Sequence, residues 1–390
     1  MVDRQSRGCE TQGCSGTPRQ RLVVLLGAGS TIHAGAPSTD DITEYLCVHE
    51  HDRLGNVIRG LCEQRGSLGF NFETIMAAME ALDEYALDKR YPPVVGGEIG
   101  TVTTLRPGYE EFLNIVNVDS FSCLHRLLLS AITTFVIERT KACSVRNLSA
   151  FVSRLGERFD LTVVTLNYDD LIDRAGVWFD GFVPSPEGEQ YEVFDHAAWR
   201  GRVASERAIL LHLHGSVRFG RNPGLGGYVV KYHAAEEAQK SFRQSRGPVP
   251  RGPGRPVMIS GDQKERNLNE FAAPLGYYYN AFVNAALDCP LWLIAGYGGK
   301  DAHVNRWIEQ SAWTHQGYAR IAHIDAGTDF PWLPAGPYVH WTGPTLGAWR
   351  GARGDFPPAA DVLDDIIAFL GGDDMIRPGS AEDRKQDPVA

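Results

Sequence analysis

The chain has 390 residues, of which 43% are hydrophobic, and this is enough to bury a large core in more than one lobe. Its formal net charge is −10, with 38 basic against 48 acidic residues, which disfavours a nucleic-acid-binding surface. No apolar run reaches the roughly 18 residues that a membrane-spanning helix needs, and the polar N-terminus lacks the apolar centre of a signal peptide. We therefore expect a cytoplasmic protein that contacts neither membrane nor nucleic acid.

Seven cysteines are scattered along the chain without a Cys-x-x-Cys pair. This pattern indicates neither a disulfide framework nor a zinc ribbon, and reduced thiols are the expectation. The polar segments at residues 1–20 and 371–390 are expected to be disordered tails.

The first strong signal is an apolar run at residues 22–26 that leads directly into Gly27-Ala28-Gly29 and then Ser30 and Thr31. A strand, a glycine turn and a helix start together hold a dinucleotide pyrophosphate, because glycines permit close approach and free N–H groups attract its charge. The third glycine, Gly35, stands later than the usual spacing predicts. A generic turn of a nucleotide-binding fold therefore remains an alternative to a dinucleotide site.

Residues 40–150 lack strong strand patterns, and helical spacing of apolar residues recurs at 40–47, 72–85 and 123–141. We predict a mostly helical insertion, packed on the nucleotide-binding fold. Its methionine and aromatic stripe is interpreted as core.

Strand patterns resume at 161–166, 208–213, 256–260, 291–295 and 320–324, and helices are predicted at 267–287, 301–313 and 360–370. This alternation predicts an α/β fold with a Rossmann-like, doubly wound parallel sheet. Ligands of such sheets bind beyond the carboxyl ends of the strands, which is where the chain places its polar residues.

Asn167 and Asp169 follow the strand at 161–166, and they share one face if that strand continues. An amide and a carboxylate at this position suit a ribose hydroxyl and a carboxamide. The alternative is an Asn-Asp turn that caps the next helix.

His214 follows the strand at 208–213 and precedes a glycine, so it is a natural general base at a ligand edge. The alternative is a core histidine that bonds a backbone group. His212 lies two positions earlier, within the strand, where a packing role is expected.

A second glycine turn contains Gly296 and Gly298 and leads into a helix at Asp301. It is suited to close over phosphates or a ribose, with Asp301 as an N-cap or a hydroxyl acceptor. A plain helix start is the alternative. Asp325 ends the next strand.

Together these segments resemble the sirtuin-like superfamily, in the branch found among bacterial anti-phage defence effectors. The residues that carry the resemblance are Gly27-Ala28-Gly29-Ser30 with Gly35 and Pro37; Thr165-Leu166-Asn167-Tyr168-Asp169; Leu213-His214-Gly215; and Gly296-Tyr297-Gly298 with Asp301 and Asn305. The first three segments occur in the family's order.

The resemblance implies a sirtuin-like NAD-binding domain over residues 21–370, with NAD⁺ as the substrate whose nicotinamide–ribose bond is broken. It implies that Asn167 contacts the nicotinamide ribose and orders water, that Asp169 recognises the carboxamide, and that His214 is the base. The contacts with NAD⁺ are expected from Gly27, Ala28, Gly29, Ser30, Thr31, Gly35, Gly296, Gly298, Asp301 and Asp325.

The chain also departs from the sirtuin deacylases. Their two Cys-x-x-Cys pairs after the histidine are absent, since Cys289 is the single cysteine between His214 and the C-terminus. Ser38-Thr39-Asp40 replaces their arginine-containing motif. We therefore expect no metal, water as the acceptor, and hydrolysis to nicotinamide and ADP-ribose.

The family analogy implies an NAD-depleting effector of abortive infection that is regulated by assembly or by a partner. A homo-oligomer and a separately encoded HerA-like ATPase are the expected partners. A protein deacylase or ADP-ribosyltransferase, and a sensor that binds NAD⁺ or ADP-ribose without turnover, stay open as alternatives. The sequence leaves open the trigger, the partner's identity, the oligomeric state and the activity of the isolated chain.

Overall fold

The structure of the protein is a computed structural model. It describes residues 19–48, 71–80, 94–95, 98–99, 121–186, 190–222, 228–244, 255–259, 273–315, 318–325, 345–350 and 356–372. The predicted tails lie outside these residues except at their inner ends, so they stay predictions.

Strands and helices alternate along most of the chain. The strands are β1 (Arg21–Leu26), β2 (Val94–Val95), β3 (Glu98–Ile99), β4 (Asp160–Thr165), β5 (Phe182–Pro184), β6 (Tyr191–Phe194), β7 (Ala208–His212), β8 (Gly215–Asn222), β9 (Tyr228–Tyr232), β10 (Arg255–Met258), β11 (Leu291–Ala295), β12 (Arg320–Asp325) and β13 (Thr345–Arg350). The α-helices are α1 (Thr39–Val48), α2 (Phe121–Thr140), α3 (Arg146–Arg158), α4 (Leu171–Ala175), α5 (His196–Arg202), α6 (Ala235–Gln244), α7 (Leu275–Asp288), α8 (Ala302–Thr314) and α9 (Ala360–Gly371), and residues 72–80 are also helical.

A six-stranded parallel sheet forms the centre, in the order β13-β12-β11-β1-β4-β7. Its middle strands are near-continuous apolar runs, because both faces of the sheet are covered by helices. Leu22 and Leu25 of β1 and Leu293 of β11 have no exposed surface. The predicted Rossmann-like, doubly wound α/β fold is confirmed.

A second, five-stranded antiparallel sheet has the order β10-β8-β9-β6-β5 and was not predicted. The apolar run at 256–260, interpreted from sequence as a strand of the parallel sheet, lies here as β10. The run could not reveal its partner, because β10 pairs with β8, a strand that carries two arginines and two glycines.

Helices α1 and α2 and residues 72–80 pack into a second hydrophobic cluster, which also includes Val217 of β8 and Met258 of β10. Ile75, Met76 and Met79 are buried there, as the core interpretation of the stripe expects. Helix α3 was not predicted, and it packs against β4. The division of the chain into an insertion at 40–150 and a surrounding domain stays a prediction.

Two sequence expectations concern features outside the fold itself. Among the described helices, none has both the length and the apolar sequence needed to cross a bilayer. Cys143 and Cys289 are free thiols, whereas Cys47 is disulfide-bonded, so the expectation of reduced thiols fails at Cys47.

Gly215 makes the joint between the two sheets, three residues after β7 ends. Its φ is +83°, and an added Cβ would lie 2.2 Å from the carbonyl oxygen of Val257 on β10. The joint therefore requires glycine for both its backbone conformation and its space.

We predict that Gly215→Ala lowers the free energy of unfolding by about 2–4 kcal/mol, because it combines left-handed strain with a backbone clash. Urea denaturation of the purified chain measures this. The control is Gly201→Ala in α5, where an added Cβ meets no atom within 4 Å and a small gain in stability is expected. Equal stability of the two variants would contradict this account of the joint.

Candidate functional site

The register of the parallel strands determines which residues meet at the carboxyl edge of the sheet. Leu26 pairs with both Ala295 and Thr165, and Thr165 pairs with His212. The residues that follow these positions therefore meet at one edge of the sheet: Gly27 after β1, Gly296 after β11, Asn167 after β4 and His214 after β7.

The two glycine turns at this edge pack directly against each other. The N–H of Gly27 donates to Ala295, and the N–H of Gly29 donates to Gly296, each at 3.0 Å. An added Cβ on Gly27 would lie 2.5 Å from the Gly296 oxygen, and one on Gly296, whose φ is +60°, would lie 2.1 Å from the Ser30 nitrogen. These glycines are thus required by the contact between the turns, in addition to any ligand.

The segment after Gly27 does not start an α-helix, contrary to the sequence prediction. It forms 3₁₀ turns at Ala28–Ser30 and Ile32–Ala34, and α1 begins only at Thr39. The N–H groups of Ser30 and Thr31 donate to the carbonyls of Gly27 and Ala28. They are therefore not free to receive a phosphate as the N-terminal amides of a helix would be.

The hydroxyl groups of this segment instead organise the neighbouring strand end. Ser30 Oγ donates to the Gly27 carbonyl at 2.7 Å. Asn167 Nδ2 donates to Thr31 Oγ1 at 3.1 Å and approaches Ser30 Oγ at 3.4 Å. The nitrogen of the Asn167 amide is thereby held, while its buried Oδ1 has no hydrogen-bond partner among the described residues.

Asp169 is buried beside Asn167 and has both oxygens engaged. Thr31 Oγ1 donates to its Oδ2 at 3.0 Å, and the N–H of Leu171 donates to its Oδ1 at 3.0 Å. Burial raises the pKa of Asp169 to about 6, and these two hydrogen bonds oppose the rise. The Oδ1 of Asp169 therefore accepts a hydrogen bond from the first residue of α4, as the helix-capping alternative expects. The Oδ2 instead links Asp169 to Thr31 of the first glycine loop.

His214 is buried with 2% of its surface exposed, and its ring faces another histidine. Its Nε2 lies 3.3 Å from Nε2 of His303 and 3.9 Å from Oδ1 of Asp301. Its carbonyl accepts from the N–H of Ile259 at 2.8 Å, which fixes the residue against the second sheet.

His212, two residues earlier, belongs to a buried charge cluster behind the site. Its Nε2 lies 2.9 Å from Oδ2 of Asp173, and Oδ1 of Asp173 contacts Lys231 at 2.7 Å and Arg218 at 3.3 Å. Burial raises the pKa of Asp173, but Lys231 and His212 more than offset this and hold it well below its usual range. This position agrees with the structural role expected for His212.

The second glycine turn is fixed by hydrogen bonds from Tyr297 within the turn and Asn305 on the following helix. Tyr297 Oη donates to Asn305 Oδ1 at 2.8 Å, and Asn305 Nδ2 donates to the Gly299 carbonyl at 2.7 Å. Asp301 occupies the N-cap position of α8 without a side-chain capping bond. Gly298 is exposed, and an added Cβ would meet no atom within 4 Å.

A pocket of about 240 Å³ lies at this edge of the sheet. The sequence-predicted residues that line it are Gly27, Ala28, Thr31, Asn167, Asp169, His214, Gly296, Gly298 and Asp301. Three predicted residues do not line it: Gly29, Ser30 and Gly35. Gly35 instead forms a left-handed turn whose added Cβ would lie 2.7 Å from Cys143 Sγ. Asp325 ends β12, and its side chain lies outside the described residues.

Sequence reasoning missed several lining residues. Asn71, Phe72 and Glu73 come from the predominantly helical part of the chain and close one side of the pocket. No local pattern distinguishes them, because Phe72 reads as an ordinary core position. Lys300 also lines the pocket, and its place beside the Gly298-Gly299 pair is a signal that could have identified it.

Residues 161–324 match the family model of the SIR2-like domain, a range that includes Asn167, Asp169, His214 and the second glycine turn. Among curated proteins none matches the chain significantly.

Solved structures of Sir2 proteins are similar at low identity. A Sir2 enzyme has 13% identity and a TM-score of 0.42, covering 91% of this chain and 94% of its own. An ADP-ribose complex of a Sir2 homologue mutant has 16% identity and a TM-score of 0.43, covering 91% and 93%. A Sir2 homologue–NAD complex has 15% identity and a TM-score of 0.39, covering 91% of each chain.

The raised pKa of Asp169 predicts a pH-dependent contribution to stability. Because the folded pKa of about 6 lies above the unfolded value of 3.8, protonation favours the folded state. This contribution is complete below pH 3.8 and is lost as the pH rises through 6. We predict that Asp169→Asn gains stability relative to the wild type between pH 4 and pH 7, by about 3 kcal/mol.

Urea denaturation of both proteins across that pH range provides the measurement. The difference in free energy of unfolding, variant minus wild type, should grow with pH. A difference that stays constant would show that Asp169 does not ionise with a raised pKa.

Proposed function

We propose that the protein belongs to the sirtuin superfamily, because residues 161–324 match the family model of the SIR2-like domain, and that it is an NAD⁺ glycohydrolase that releases nicotinamide and ADP-ribose. The observation that carries the proposal is Asn167, which lines the pocket with Asp169 and His214 and whose buried Oδ1 has no hydrogen-bond partner among the described residues. A buried carbonyl oxygen without a partner is costly unless a ligand or a water satisfies it.

The reaction requires an acceptor oxygen of this kind. As the bond between nicotinamide and C1′ of the ribose breaks, its electrons pass to the nicotinamide nitrogen and positive charge develops on the ribose. A preorganised dipole that faces this charge stabilises the transition state. The Asn167 amide is preorganised because Thr31 holds its nitrogen.

Asp169 is proposed to recognise the nicotinamide carboxamide. Its carboxylate can accept a hydrogen bond from the carboxamide NH₂, and its pKa of about 6 leaves it ionised at neutral pH. A carboxamide held at Asp169 would direct the leaving group away from the ribose.

His214 is proposed to take the proton from the attacking water, directly or through a ribose hydroxyl. The water oxygen bonds to C1′, its proton passes to His214, and neutral nicotinamide leaves. His214 suits this task because its ring lines the pocket while its backbone is fixed by Ile259.

The two glycine turns are proposed to hold the phosphates and ribose of NAD⁺. Gly298 leaves open space above the second turn, and Lys300 brings a positive charge to the same wall. In this assignment the phosphates are not bound by the N-terminal amides of a helix, because the N–H groups of Ser30 and Thr31 already donate hydrogen bonds within the loop.

Water is proposed as the acceptor instead of an acylated lysine. The sequence between His214 and its C-terminus lacks the paired cysteines on which the deacylases build one wall of their peptide cleft. By family analogy we further propose a cytoplasmic effector of anti-phage defence that depletes NAD⁺. Its regulation would come from homo-oligomeric assembly or a separately encoded HerA-like ATPase, and full activity in a free monomer would contradict that regulation.

We predict that Asn167→Ala and His214→Ala each lower nicotinamide release from NAD⁺ at least about 100-fold, since each removes a group that acts in the transition state. Release is followed chromatographically without added peptide. His233→Ala, an exposed histidine away from the pocket, serves as the control and should match the wild type. Release that depends on an acylated peptide would favour the deacylase, and NAD⁺ binding without release would favour the sensor.

We predict that Gly298→Ala raises KM for NAD⁺ about tenfold, the equivalent of about 1.4 kcal/mol, with little change in kcat. The added methyl group enters space that the protein leaves open beside the proposed phosphate site. Gly201→Ala, also placed in open space but on α5, should leave KM unchanged. An unaltered KM in Gly298→Ala would remove the second turn from the binding site.

A further inference from the structure

We propose that His214, His303 and Asp301 bind one divalent transition-metal ion of the zinc class, and that this ion inhibits the proposed hydrolysis of NAD⁺. The metal site stands on geometry alone, whereas the inhibition rests on the proposed role of His214 as the base. The ion takes no part in the proposed hydrolysis, which agrees with the expectation that the reaction needs no metal.

The distances between donor atoms fit such an ion. The two Nε2 atoms of His214 and His303 lie 3.3 Å apart. With metal–nitrogen bonds of about 2.0–2.1 Å, two nitrogen ligands of a tetrahedral zinc ion lie about 3.3–3.4 Å apart. Asp301 Oδ1 is 3.9 Å from the His214 nitrogen, and one donor atom from each residue lies within 4.8 Å of the others.

The chemistry of the donors favours zinc over magnesium or calcium. Neutral imidazole nitrogen with one carboxylate oxygen is a borderline donor set that selects zinc, whereas hard cations prefer oxygen ligands alone. Three protein ligands also leave a fourth position open for water or an inhibitor.

The site is also accessible. His214 and Asp301 line the pocket, while His303, with 6% of its surface exposed, lies on the first turn of α8. An ion that enters the pocket therefore meets two of the donors there, and the Nε2 of His303 is 3.3 Å from that of His214.

The two Nε2 atoms face each other across a gap that one bridging centre can occupy. A neutral imidazole has one N–H and one acceptor nitrogen, so this contact holds either a hydrogen bond, in which one ring donates and the other accepts, or a metal ion. Asp301 adds negative charge beside the contact, which favours the doubly charged ion.

Coordination through Nε2 removes the lone pair with which His214 would accept a proton. An ion at this position therefore competes directly with the base. This location differs from a cysteine-ligated structural zinc, because two of its ligands, His214 and Asp301, line the pocket.

The direct test is zinc binding by the full chain after treatment with a chelator. Titration of Zn²⁺ against a chromophoric competing chelator should show one site per chain. His303→Ala should weaken it at least about 100-fold, more than the loss of an outer-shell partner costs. Asp301→Asn, which keeps the size of the side chain, should weaken it as well, and circular dichroism verifies the fold of both variants.

His233→Ala is the matched control. Its Nδ1 lies 3.9 Å from Glu192 Oε1, the same separation as between His214 and Asp301, but no second histidine among the described residues completes the set. It should bind zinc as the wild type does. No saturable site, or equal affinity in His303→Ala and the wild type, would overturn the metal site and leave a hydrogen bond between the two histidines.

A second measurement tests the inhibition. Zn²⁺ should suppress nicotinamide release by the wild type at least tenfold, and much less in His303→Ala, each compared with its own activity in chelator. Zinc binding with unchanged or stimulated release would overturn the inhibitory role. If the wild type releases no nicotinamide either as the isolated chain or in its assembled state, the proposed function fails, while the zinc titration still decides the site.

Discussion

The contact between the two glycine turns is the constraint on which the site depends. β1 and β11 are neighbours in the sheet, and their turns meet so closely that no side chain fits at Gly27 or Gly296. This contact curls the chain after Gly27 into 3₁₀ turns and brings Thr31 against the end of β4. The hydroxyl of Thr31 can then hold Asn167 and Asp169, so the geometry of the polar groups follows from backbone packing.

Burial gives those polar groups their chemistry. Asp169 pays a desolvation cost that raises its pKa to about 6, and the Asn167 oxygen is kept from water without a partner among the described residues. Neither arrangement favours the stability of the free protein. Both are expected where a ligand completes the interactions, because functional sites tolerate local costs that the core offsets.

The sequence was sufficient for five of the six strands of the parallel sheet and for much of the pocket, whereas the edge strand β13 was missed. Apolar runs identify β1, β4, β7 and β11, and the polar residues that follow them meet because parallel strands end at one edge. The antiparallel sheet was missed, since the polar residues and glycines of β8 interrupt a simple strand pattern. His303 and Phe72 were missed because their approach to the pocket depends on helix packing over long sequence separations. Ser30 was predicted to contact NAD⁺ from its position in the glycine motif, whereas its hydroxyl donates a hydrogen bond to the Gly27 carbonyl.

The central claim is that this pocket transfers the ribose of NAD⁺ to water. Incubation of the protein with NAD⁺ in water enriched in heavy oxygen, followed by mass spectrometry of the products, tests it most directly. The account predicts free nicotinamide and ADP-ribose that carries one heavy oxygen, with neither product formed by the Asn167→Ala variant. Nicotinamide release without labelled ADP-ribose, or the same products from that variant, would contradict it.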